Sequence, residues 1–122
     1  MTLEAHAVAF VRDEDADYEA LIMAEDESGA GARLEVQRAL TVSEQDREAG
    51  LDTYALAVES GAVHYGGVQS WRGMDDAVAF ELTDEAADAL GLETDVEVRF
   101  ADPEHHDVAV DALERLLGPA AA

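Results

Sequence analysis

Residues 3–12, LEAHAVAFVR, carry apolar side chains in a two-residue rhythm. Leu3, Ala5, Ala7, Ala9 and Val11 share one face, and Val8 and Phe10 share the other. Alternation of this kind predicts a strand, and apolar groups on both sides predict one covered on both faces. DEDAD at 13–17 is a turn, and YEALIMA at 18–24 resumes the rhythm, so the two runs predict a hairpin. After the loop EDESGAGA, RLEVQRAL at 33–40 places Leu34, Val36 and Leu40 on one side, with Arg38 among them. TYALAVES at 53–60 alternates Tyr54, Leu56 and Val58, then turns at Ser60-Gly61. AVHYGGVQSW at 62–71 returns as a strand broken by Gly66-Gly67, which predicts a bulge or the close approach of another backbone. AVAFEL at 77–82 and DVEVRF at 95–100 complete the strand patterns.

Three segments carry helix punctuation instead. In SEQDREAG at 43–50, Ser43 is a good N-cap with Asp46 three residues on, Glu44 suits the positive end of a helix, and Gly50 suits its exit. TDEAADALG at 83–91 has Thr83 as cap, acids in the first turn and Gly91 at the end. DPEHHDVAVDALERLLGP at 102–119 has Asp102 as cap, Pro103 at the first helical position and a stripe of Ala109, Leu113, Leu116 and Leu117. The final AAA is expected to fray. The prediction is one α+β domain over 1–122. Its core is a mostly antiparallel sheet of about six to eight strands, with a short helical turn near 44–49 and helices near 84–90 and 103–117.

Charge changes this picture most. The 122 residues hold 29 Asp and Glu against 7 Arg and no Lys, a net charge of −22. Such a surface repels phosphates, so direct nucleic-acid binding is not expected. It attracts a basic partner, and it equally suits solubility or life at high salt. The apolar fraction of 48% separates the chain from a disordered acidic tail. There is no cysteine, hence no disulfide framework or thiolate metal site. No run approaches the ~20 apolar residues of a membrane span, and the first residues lack a secretory pattern. A soluble, cytoplasmic protein is expected.

Candidate chemistry is sparse. His105 and His106 are neighbours on a helix, about 100° apart, and make a poor chelate; a solvated helix start is the plainer reading. His64 has acids within reach, as any histidine here does, and a hydrolase built on it is a remote alternative. SGAGA lacks the lysine of a phosphate loop. No catalytic residue, metal site or cofactor is predicted. A small acidic ligand- or metal-binding domain is the alternative reading. The aromatics are more informative: Tyr54, Tyr65 and Trp71 fall within eighteen residues, around His64, Gly66 and Gly67. Core packing is the plainer role for Tyr54. If the strands pair as a hairpin, the tyrosines share a face, and aromatics anchor interfaces.

The stretch LEVQRALTVSEQDREAGLDTYALAV (34–58), followed by VHYGGVQSW (63–71), resembles the immunity protein 10 family of bacterial polymorphic-toxin systems. The pieces are Gln37-Arg38, Glu44-Gln45-Asp46, Gly50-Leu51-Asp52-Thr53-Tyr54 and Tyr65-Gly66-Gly67, and FELTDEAADALGLETDVEVRF is similar to the family's late strand–helix–strand. The resemblance implies a non-enzymatic protein that binds and neutralises a cognate protein toxin. A basic nuclease is one toxin class that the acidity suits, and a homodimer is compatible with it. The partner-binding candidates are Glu44, Gln45, Asp46, Asp52, Tyr54, His64, Tyr65, Gly66, Gly67 and Trp71.

Overall fold

Alternation assigns each strand an inner and an outer face, and pairing of the inner faces builds the core. The computed structural model describes residues 1–28, 31–41, 43–49 and 53–121. Nine strands are found there: β1 (Thr2–Ala5), β2 (Ala7–Asp13), β3 (Tyr18–Ala24), β4 (Arg33–Ala39), β5 (Ala55–Val58), β6 (Val63–Tyr65), β7 (Val68–Gly73), β8 (Ala77–Leu82) and β9 (Asp95–Phe100). Three helices accompany them: α1 (Glu44–Glu48), α2 (Asp84–Leu90) and α3 (Pro103–Leu117). The α+β class and the helix positions are as expected.

The strands are divided between two sheets, ordered β1-β9-β8-β7 and β2-β3-β4-β5-β6. Neighbours are antiparallel except β1 and β9, which run parallel. Two of the expected strands are each cut in two, and both cuts are places where the chain changes sheet. The first is His6. Its backbone N–H donates to Ala24 O at 2.9 Å. The parity of the buried positions flips across it: Leu3 and Ala5 point inward before it, Val8 and Phe10 after it. The expectation that odd positions keep one face through this run therefore fails, and Ala9 is exposed instead of covered. The second cut is Gly66-Gly67. Gly66 N–H donates to Tyr54 O at 2.9 Å in one sheet, while Gly67 O accepts from Thr83 N–H at 2.9 Å beside the other. The register irregularity lies further on, between Val68 and Ser70.

One core joins both sheets. Leu21, Met23, Val36 and Leu56 meet Trp71, Val78, Phe80 and Val98 across it. Helix α3 packs against β2, β3 and β4 of one sheet and β8 and β9 of the other, burying Ala109, Ala112, Leu113 and Leu116. Its Asp102 cap accepts from Glu104 N–H at 2.9 Å. The tail after α3 does not fray where expected. Trp71 Nε1–H donates to Gly118 O at 3.0 Å, and Ala121 N–H donates to Trp71 O at 2.8 Å, so the segment up to Ala121 lies beside β7, while Ala122 lies outside the described residues.

Candidate partner-binding surface

The acidic turn after β4 forms α1, with Arg47 N–H donating to Ser43 O at 3.1 Å. Glu44 and Gln45 are exposed on it. Gly50, Asp52 and the Asp46 side chain lie outside the described residues. The remaining candidates separate. Tyr54 is half-buried, and its hydroxyl accepts from Val68 N–H at 2.9 Å, latching the start of β7. Burial pushes its phenol pKa up, against the opposing pull of that hydrogen bond. His64 is half-buried on the inner side of β6, its Nδ1 3.3 Å from Gly66 O. Trp71 is only 4% exposed and belongs to the core. Tyr65, by contrast, is 47% exposed.

Tyr54 and Tyr65 do not share a face. Tyr65 pairs with Ala55, so Tyr54, one residue earlier, points inward with Leu56. The histidines of α3 also differ from expectation. Both are half-buried, and the His106 ring stands edge-on to Phe100, with centroids 5.8 Å apart. Among the described residues, no group of three or more His, Asp or Glu is arranged to hold a metal ion.

The larger feature is a contrast between the outer faces of the two sheets. On the four-stranded sheet the outer positions include Glu4, Glu81, Asp95, Glu97, Arg72 and Arg99, a charged and solvated face. Arg99 and Glu97 pair there at 2.7 Å. On the five-stranded sheet the outer row Val11–Ala20–Gln37–Ala55–Tyr65 is followed by the row Ala9–Ile22–Glu35–Ala57–Val63. This face is mostly apolar. Neither α2 nor α3 covers it, because both place their buried residues in the core. Its central alanines are sunk between larger neighbours, and Val63 and Tyr65 stand at the β6 edge. A hollow of about 450 Å³ opens there, and its lining includes Tyr18, Gln37, Arg38, Ala39, Ala55 and Tyr65. Sequence reasoning missed this surface, although the second apolar parity of β2, β3 and β5 was its signal.

A second unpredicted feature is a buried carboxylate. Glu19 is fully buried on the inner face of β3. Arg38 Nη2–H donates to it at 2.7 Å and Arg115 Nε–H at 2.9 Å, and Arg12 Nη1 stands 3.9 Å away. Arg12, Glu19 and Arg38 are register partners across β2, β3 and β4. Burial pushes the Glu19 pKa up, but the hydrogen bonds and charges of Arg115 and Arg38 outweigh it and hold the carboxyl below its ordinary value. Three of the seven arginines thus converge on one buried carboxylate, although each keeps part of its side chain exposed.

These features define a small two-sheet α+β protein with an anionic exterior, one charged sheet face and one mostly apolar sheet face that neither α2 nor α3 covers. The chain belongs to the Immunity protein 10 family, whose family model matches residues 4–109, from β1 into α3. Comparison with curated proteins gives no match. Comparison with solved structures gives none either. Among the described residues, no helix is long and apolar enough to cross a membrane.

Proposed function

We propose that this protein neutralises a cognate bacterial toxin by binding it stoichiometrically, without catalysis of its own. The observation that carries the reading is the family match across 106 residues, counted from 4 to 109 inclusive. The physical character of the molecule supports it. The net charge of −22 accelerates encounter with a basic protein, and a basic cleft is what a nuclease toxin presents to nucleic acid. The two-sheet core supplies a preformed surface, so little ordering entropy opposes binding. Effective neutralisation at low copy number calls for nanomolar affinity, about −12 kcal/mol. The site of action is the cytoplasm of the protected cell, where a nuclease toxin meets its substrate.

Co-expression tests this directly. The toxin domain encoded beside this gene is induced in cells with and without the protein. Survival only in its presence is the expected result. Equal killing in both cultures would remove the reading.

A further inference from the structure

Resting on the toxin-binding reading above, we infer that the partner docks on the outer face of the five-stranded sheet. It brings an apolar centre, with one large side chain for the hollow lined by Tyr18 and Tyr65, and a basic rim around it. Three observations converge on this. The first is the asymmetry of the two sheets: one outer face is charged, while the other carries exposed Val63 and Tyr65 and half-buried Val11 and Ile22 around buried alanines, with Gln37 and Glu35 as its polar members. An antiparallel sheet normally solvates the face it does not pack, so a mostly apolar face that neither α2 nor α3 covers, in a chain this acidic, points to a covering partner.

The second is size. Five strands spaced about 4.8 Å apart, with β3 seven residues long, give a face of roughly 20 Å by 20 Å, or about 400 Å² in plan. A standard interface takes about 800 Å² from each partner. The apolar face therefore fills about half of one, the share of an interface core, and a rim must supply the rest.

The third is the charge of that rim. The β2–β3 turn contributes Glu14, Asp15 and Asp17 at one end of the sheet. The β4–β5 connection bearing Glu44, Arg47 and Glu48 is tied to that turn: the Thr41 hydroxyl donates to the Asp17 carboxylate at 3.0 Å, and Leu40 N–H donates to Asp17 O at 3.1 Å; Arg12 at this end stands 3.8 Å from Glu14, so acids still outnumber cations there. The opposite end carries Glu25, Asp26 and Glu27 in the β3–β4 turn and Glu59 in the β5–β6 turn. Arg33, the cation at that end, already faces Glu35 at 3.9 Å. A partner flanked by lysines and arginines complements both ends at once, and a second copy of this chain does not, because it would bring acids against acids.

The probe is the purified toxin domain encoded beside the gene. Tyr65→Ala and Val63→Glu are expected to weaken its binding at least about tenfold. Thr2→Glu, a matched addition of charge on the solvated sheet, leaves it unchanged. Hydroxyl-radical footprinting of the unaltered protein guards against misfolded variants, with Tyr18 and Tyr65 expected to become protected in the complex. The association rate is expected to fall about tenfold or more between low and high salt. A complex that forms with unchanged affinity for both face variants and with unprotected tyrosines overturns the docking face while leaving the functional reading intact. A salt-independent rate overturns the basic rim. A dimer of the protein alone that Val63→Glu splits assigns the face to self-association and overturns the inference. Absence of any complex overturns this inference and the functional reading together.

Discussion

Glu19 occupies a position where alternation calls for a hydrophobic side chain, on the same face of β3 as Leu21 and Met23, which enter the core. Its carboxylate is tolerated because Arg38 and Arg115 donate to it and Arg12 stands near. Removing the carboxylate strands three cations around a dry site. Since the arginines remain partly exposed, Glu19→Ala is expected to cost about 3 kcal/mol, toward the lower end for a broken buried pair. Urea denaturation measures it. The carboxyl is held below its ordinary value of 4.5, so on acidification the unfolded chain takes up this proton before the folded one. The stability from Glu19 is complete above pH 4.5 and disappears as pH falls through the lowered folded value. The stability gap between the natural protein and Glu19→Gln therefore narrows on acidification below that point. The ion cluster was half visible in the sequence. Arg38 shares the inner parity of β4, an anomaly that called for an inward acid, but only the register shows that Glu19 answers it. Gly67 makes a similar point. Its φ is +98°, and a methyl there would run into the Ala86 methyl of α2. Gly61 has φ +90° with open space around it. Gly67→Ala is thus expected to lose about 3 kcal/mol and Gly61→Ala about 1 kcal/mol, the difference isolating the close approach. Thermal melts of the two variants check it.

At the level of elements, local chemistry was the most legible. Thr83 caps α2 by accepting from Ala86 N–H at 3.1 Å, and Asp102 caps α3, as their side-chain types and spacing predict. Thr83→Ala and Asp102→Ala are each expected to destabilise by about 1 kcal/mol, read as a shift in denaturation midpoint. The division into sheets was not legible, for a physical reason. The alternation of 3–12 and of 62–71 continues through His6 and through Gly66-Gly67 without an obvious stop. What changes there is which sheet accepts the backbone hydrogen bonds, and that depends on distant residues such as Ala24 and Thr83. Of the candidate site, Tyr65 emerged at the surface, while Trp71 and Tyr54 went to structural tasks. Large aromatics satisfy a core as readily as an interface, and only pairing parity separates the two uses.

For the molecule as a whole, charge and fold act on different steps of one task. In the proposed reading, the anionic exterior sets how fast a basic partner arrives, and the apolar sheet face sets how long it stays. The family was legible in the order of short motifs between 37 and 67, whereas the apolar face was obscured because alanine serves helices, cores and surfaces alike. The central claim is that neutralisation is a matter of binding in equal numbers, with nothing turned over. The direct measurement is the residual activity of a fixed amount of the toxin domain titrated with this protein at a concentration well above the dissociation constant. Activity is expected to fall linearly and vanish at about one equivalent, with no dependence on incubation time after mixing. Progressive loss of toxin activity at a small fraction of an equivalent would reveal catalysis, and full activity at every ratio would reveal no neutralisation; either contradicts the account.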